Sequence, residues 1–264
     1  MRIDILIGHT SFFHQTSRDN FLHYLNEEEI KRYKQFHFVS DKELYILSRI
    51  LLKTALKRYQ PNVSLQSWQF STCKYGKPFI VFPQLAKKIF FNLSHTIDTV
   101  AVAISLHSEL GVDIEKIRDL GNSYLNISQH FFTPQEATSI YSLPPYEGQL
   151  LFWKMWTLKE AYIKYRGKGL SLGLDCIELD LTNKKLTSKH SGSPVYFFQW
   201  KICNSFLSLA SPLITPKINI QLFPMQKNLL ADYQIIHSSN SQDISFNESK
   251  NNENHTSWIE WLEE

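Results

Sequence analysis

Apolar and polar positions alternate at the start of the chain, where Ile3, Ile5 and Ile7 are interleaved with Asp4 and Leu6. A period of two predicts a strand. From about Arg18 to Gln35 the spacing turns helical, with a break near Asn26. Ser40-Asp41-Lys42-Glu43 has the form of a capping box and predicts a helix through about Arg58. Leu44, Leu47, Leu51 and Ala55 keep to one face of it, and Pro61-Asn62 closes it. Strand patterns follow at Trp68–Phe70, Ile89–Leu93, Val100–Ser105 and Leu110–Glu115, with Tyr75-Gly76-Lys77-Pro78 as a turn. Thr133-Pro134-Gln135-Glu136 is a second capping box with proline at the favoured first helical position. A long helix is predicted from about Gln149 to Tyr165, ended by Gly167 and Gly169. Strand-like runs then alternate with turns from Leu174 to about Phe223.

This order of helices then strands, met twice, predicts an α+β chain in two similar parts, although no sequence repeat is convincing. The expected division is 1–108, 109–223 and an extension over 224–264. From His237 to Thr256 the extension is rich in Ser, Asn, Asp and Glu, a composition expected to be disordered. Trp258, Ile259, Trp261 and Leu262 form a short amphipathic patch at its end, suited to fold back on the core or to meet a partner.

Composition narrows the function classes. With 43% hydrophobic residues in 264, the chain can bury a sizeable core. The 28 Lys+Arg against 25 Asp+Glu leave +3, without the basic stripe of a nucleic-acid-binding protein. No stretch approaches the roughly 20 apolar residues that span a bilayer. Cys73, Cys176 and Cys203 form no CxxC pair, which removes a zinc ribbon and a redox motif and fits a reducing compartment. The expectation is a cytoplasmic protein that engages neither nucleic acid nor membrane.

Three segments carry candidate chemistry. In Gly111-Val112-Asp113-Ile114-Glu115-Lys116 a strand puts both carboxylates on one face. By themselves they read as a solvated strand end paired to Lys116 or Arg118, or as two hard oxygen ligands around a cation such as Mg²⁺. Glu160 and Lys164 lie one helical turn apart, either as a surface ion pair or, among Phe152, Trp153, Trp156 and Tyr162, as part of a packed site. Phe91-Asn92-Leu93-Ser94-His95-Thr96 ends a strand in a hydroxyl and an imidazole that suit a phosphate, or that serve structure alone. Lys31, Arg32 and Lys34, and likewise Lys77, read as solvated cations or as phosphate contacts.

Taken in order, FSTCKYGKPFI, FFNLSHT, GVDIEK, FFTPQE and FWKMWTLKEAYIKYRGKGLSLGLD resemble the 4′-phosphopantetheinyl transferase superfamily of the surfactin-synthetase-activating type. The match runs from the first strand to about Ala210. The resemblance implies two similar subdomains about a pseudo-twofold axis, acting as a monomer, with coenzyme A bound between them. It implies transfer of the phosphopantetheine arm to a serine of an apo acyl or peptidyl carrier protein, releasing adenosine 3′,5′-bisphosphate. By the same match Asp113, Glu115 and Glu160 hold Mg²⁺, while Arg32, Lys77, Ser94, His95 and Lys159 bind coenzyme A. Glu160 and Lys164 are the catalytic pair, with Lys164 near the leaving phosphate. Glu136 is read mainly as a capping residue, with a supporting role behind the metal ligands as the alternative. Leu44 departs from the family, which commonly has an arginine there; Lys42 or Arg49 are the available substitutes.

Overall fold

The computed structural model describes residues 1–14, 17–180, 185–188, 195–223, 234–237 and 247–248. The first half runs β1 (Arg2–His9), α1 (Glu27–Gln35), α2 (Val39–Lys57), a two-stranded ribbon of β2 (Gln69–Thr72) and β3 (Pro78–Phe82), and a hairpin of β4 (Phe90–His95) and β5 (Thr99–Ser105). The second half repeats the scheme. It runs β6 (Gly111–Lys116), α3 (Ser123–Phe131), α4 (Pro134–Tyr141), α5 (Pro145–Arg166), a ribbon of β7 (Ile177–Asp180) and β8 (Lys185–Ser188), and a hairpin of β9 (Tyr196–Ile202) and β10 (Ser205–Ser211). The α+β expectation holds, and strand, long helix, ribbon and hairpin recur in that order.

Strands β11 (Lys217–Leu222), β12 (Gln234–His237) and β13 (Asn247–Glu248) complete two sheets, ordered β12-β11-β1-β5-β4 and β13-β9-β10-β6. Alternation along each strand sorts side chains into three cores. Leu6, Val100, Val102 and Ile104 face α2, where they meet Ile46, Leu47, Ile50 and Leu51. Phe197, Phe206 and Ala210 face α5 at Phe152, Leu158, Ala161 and Tyr162. Ile3, Ile5, Ile7, Ala101 and Ala103 of one sheet meet Val112, Ile114, Leu207 and Leu209 of the other. The layers are therefore helix, sheet, sheet, helix, and each fully buried aliphatic side chain contributes about 1.5–3 kcal/mol. Strands β4 and β6 are the edges at which the two sheets come together.

Several elements differ from the sequence expectation. Helix α2 starts at Val39 with Phe38 at the N-cap and no side-chain cap bond, so Ser40 lies inside the first turn and its capping box does not form. Helix α5 starts at Pro145, earlier than Gln149, where the helical periodicity begins, because proline serves well at the first helical position. Helix α3 was unforeseen. Lys217–Leu222, expected with the C-terminal half, runs parallel to β1 of the N-terminal sheet, pairing Ile3 with Ile218 and Ile5 with Ile220. Of the extension expected to lack structure, His237 closes β12 and Asn247–Glu248 forms β13. The rest of it, with Trp258–Leu262, lies outside the described residues. None of the three cysteines is in a disulfide. Among the described residues no helix is long and apolar enough to cross a membrane.

Candidate active site

On β6 the period of two sends Val112 and Ile114 into the inter-sheet core and turns Asp113 and Glu115 to the other face. Gly111 lets α5 close on this strand. A Cβ there would lie 2.1 Å from the Ala161 carbonyl oxygen and 2.2 Å from the Tyr165 nitrogen, well inside van der Waals contact. That approach brings Lys164 to Asp113, with Nζ 2.6 Å from Oδ1. Lys164 thus pairs across 51 residues and not with Glu160 one turn away. Asp113 is only 2% exposed, and its Oδ2 is buried without a hydrogen-bond partner.

Strand β4 supplies the other wall. Ser94 Oγ donates to Asp113 Oδ1 at 2.8 Å and accepts from Lys164 Nζ at 2.7 Å. Thr96 Oγ1 donates to Glu115 Oε2 at 3.1 Å, and Asn92 Oδ1 accepts the Val112 amide at 2.9 Å. His95, the last residue of β4, is exposed. Burial of part of its ring, then the Lys164 ammonium, lower its pKa against the pull of Asp113 and Asp41.

The electrostatics reflect too many carboxylates for one ammonium. Burial first, then the Asp113 charge, push Glu115 up to about 7; the Thr96 hydrogen bond and Lys164 offset this in part. Glu160 is raised by the same two causes, with Lys164 opposing. Two carboxylates that resist ionisation beside a buried aspartate with an unsatisfied oxygen form a hard-oxygen set, the chemistry a divalent cation such as Mg²⁺ satisfies. As placed, no group of three His, Cys, Asp or Glu side chains among the described residues encloses a metal-sized position. Lys164 takes up Asp113 Oδ1 in its stead.

The remaining candidates are spread more widely. Lys77 lies where the first ribbon meets the end of α5, with Nζ 2.9 Å from Glu109 Oε2 and 3.4 Å from the Tyr165 carbonyl oxygen. Arg32 is on the exposed side of α1, hydrogen-bonded to Gln35 and lying over the Phe36 ring. Lys159, expected at the coenzyme A site, points the other way. Its Nζ is fully buried, donating to the Leu174 and Ile177 carbonyls and pairing with Glu136 at 2.8 Å. One residue along a helix is a rotation of about 100°, so the neighbour of Glu160 faces a different layer. Glu136 forms its capping box with Thr133 and also accepts the Leu179 amide. Both substitutes for the missing arginine are engaged. Lys42 lies over Tyr33, and Arg49 lies over Tyr45 and Phe70 beside Glu29. Asn92, Thr96 and Gly111 were missed as site residues. The alternation of polar side chains in Asn92-Leu93-Ser94-His95-Thr96 was the available signal.

Two family models match the chain: "4'-phosphopantetheinyl transferase superfamily" over residues 109–210 and "4'-phosphopantetheinyl transferase, N-terminal" over residues 14–107. The 4'-phosphopantetheinyl transferase ffp of Bacillus subtilis is 32% identical over 63% of this chain and 71% of its own length. The 4'-phosphopantetheinyl transferase Sfp of Bacillus subtilis is 29% identical over 71% of this chain and 82% of that one. For the 4'-phosphopantetheinyl transferase HetI of Nostoc the identity is 30% over 60% of this chain, spanning 65% of the relative, just under two thirds.

Proposed function

The chain belongs to the 4′-phosphopantetheinyl transferase superfamily, and from that premise we propose that it moves the phosphopantetheine arm of coenzyme A onto a serine of an apo acyl or peptidyl carrier protein, releasing adenosine 3′,5′-bisphosphate. The observation that carries this reading is the Asp113–Lys164 pair, shared with Ser94 where β4, β6 and α5 meet, with Glu115 held beside it by Thr96 and Glu160 raised by the Asp113 charge. A buried anionic cluster with one cation is suited to a polyphosphate that arrives with a metal.

Asp113, Glu115 and Glu160 are the residues that would hold Mg²⁺. When bound, the ion supplies positive charge to the pyrophosphate. The nucleophile is the carrier's serine, so this chain needs none of its own. The serine oxygen forms a bond to the phosphorus that bears the pantetheine arm as the bond from that phosphorus to the adenosine bisphosphate oxygen breaks. Glu160 takes the serine proton; burial and the Asp113 charge raise its pKa above the ordinary carboxylate value, which makes it a stronger base. The Lys164 ammonium meets the charge that develops on the departing oxygen. Buried Ser94, bonded to Lys164, and exposed His95 next to it on β4 hold phosphate oxygens. Arg32 and Lys77 serve the adenosine end, each exchanging its present partner, Gln35 or Glu109, for substrate. Lys159 is left out of this set and supports α5. The reading has the enzyme acting as a cytoplasmic monomer.

The test incubates the full chain with coenzyme A, Mg²⁺ and a panel of apo carriers, and reads carrier mass. One carrier should gain a single phosphopantetheine arm, and chelation should stop the gain. No gain on any carrier overturns the transfer, and undiminished gain in chelator overturns the metal assignment.

A further inference from the structure

Strands β4 and β6 are edge strands of different sheets, and no backbone ladder joins them. Side chains on one face of β4 and of the turn after it take the place of that ladder. Asn92 reaches the Val112 amide, Ser94 reaches Asp113, and Thr96 reaches both Glu115 and the Lys116 amide. The FNLSHT segment thus carries two residues, Asn92 and Thr96, that the reaction as described does not use.

We propose that Thr96 is a positioning residue, which holds the Glu115 carboxylate of one half of the molecule from the other half. The direction of its proton follows from its neighbours. The Lys116 amide donates to Thr96 Oγ1 at 3.2 Å, so the hydroxyl hydrogen is directed to Glu115 Oε2. Without that donor, Glu115 faces the like charge of Asp113 and turns away from it. Thr96 is itself well fixed. It is 8% exposed, its N–H donates to the Thr99 carbonyl at 2.9 Å, and its β-branch restricts χ1. The same turn carries Asp98, which pairs with Lys116 of β6 and with His9 of β1. The inference rests on the reading of Glu115 as a metal ligand, because a second residue that orients a ligand sets how tightly the ion is held.

The test compares wild type, Thr96→Val and Thr96→Ser as full chains with coenzyme A and no carrier, titrated with Mn²⁺ and followed by electron paramagnetic resonance. Transfer is measured in parallel as a function of Mg²⁺. Thr96→Val should weaken Mn²⁺ binding by about 10- to 100-fold and raise the half-activating Mg²⁺ concentration by a similar factor, with the carrier KM unmoved. Thr96→Ser, which keeps the hydroxyl, should restore both to within about threefold, as the same donor is present. Should the valine variant melt far below wild type, Thr96→Ala removes the same donor and carries the same reading. Unchanged Mn²⁺ affinity in the variants that lack the hydroxyl overturns the proposal, as does a loss that serine does not repair. A wild-type chain that binds no Mn²⁺ overturns the metal reading instead, and is told apart because all variants then behave alike.

Discussion

Lys164 has one charge to share among Asp113, Glu115 and Glu160, and that imbalance governs the behaviour of the individual residues. Glu160→Gln keeps shape and removes the proposed base. Transfer should fall on the order of 10³-fold with the melting temperature kept, and transfer at the wild-type rate would remove Glu160 from the chemistry. In Lys164→Ala, kcat should fall by more than KM rises; a change confined to KM would make Lys164 a binding residue. Glu115 adds a pH signature. Kept metal-free by chelator, the folded chain holds the Glu115 proton up to about 7, against an ordinary value of 4.5. The stability tied to that proton is complete below pH 4.5 and lost as pH rises through about 7, on the order of 2–3 kcal/mol. Glu115→Gln has no such proton to lose. Its melting temperature should exceed that of wild type at pH 8 and converge with it near pH 5, whereas a gap independent of pH would refute the assignment. At this scale the sequence was legible where a period was enough. Two residues along a strand put Asp113 beside Glu115, and one helical turn put Glu160 near Lys164. It did not tell that Lys164 would turn to Asp113, since that partner lies on another element.

Helix α5 carries opposite tasks on neighbouring residues, because Glu160 faces β6 while Lys159 faces the turn before β7. Burial lowers the Lys159 pKa, and the Glu136 carboxylate works against that. The pair also ties α4, α5 and β7 together, since Glu136 holds both the Thr133 cap and the Leu179 amide. Lys159→Ala leaves a buried carboxylate without its cation and two carbonyls without a donor. It should cost about 3–5 kcal/mol in urea unfolding, while the KM for coenzyme A of the folded fraction stays within a few-fold of wild type. Unaltered stability with a steep rise in that KM would return Lys159 to the substrate site. Local signals explain what was readable here. Thr133-Pro134-Gln135-Glu136 forms its box because proline opens the helix and Glu136 has a buried place to go. Ser40-Asp41-Lys42-Glu43 has the same pattern, yet α2 begins at Val39, two residues before the start that pattern predicts, so the pattern does not control the start. Which of two equal local signals prevails is decided by tertiary packing.

The molecule as a whole is held by a core that neither half owns. Ile3, Ile5, Ile7, Ala101 and Ala103 come from residues before 108, and Val112, Ile114, Leu207, Leu209, Ile218 and Ile220 from residues after it. The two-part plan was legible from the order of predicted elements, but this shared core was not. The pairing of β1 with β11 joins residues such as Asp4 and Asn219 across 215 positions, and their side chains meet at 2.9 Å. Nothing in the local pattern around either residue encodes so distant a partner. The candidate active-site cluster has the same origin, since Ser94 and Thr96 belong to one half and Asp113, Glu115 and Lys164 to the other. The halves should accordingly fold as one unit. A fragment of residues 1–108 lacks β11 and exposes the inner faces of β1 and β5, including five apolar side chains of the shared core. At about 25 cal/mol for each Å² of apolar surface left in water, that loss exceeds the margin of a few kcal/mol by which domains are stable. The fragment should show no cooperative thermal transition and should aggregate on purification. Co-expression with residues 109–264 should restore a single sharp transition, and transfer with it. A fragment of 1–108 that melts cooperatively alone would show that the first core, around α2, suffices without the second sheet.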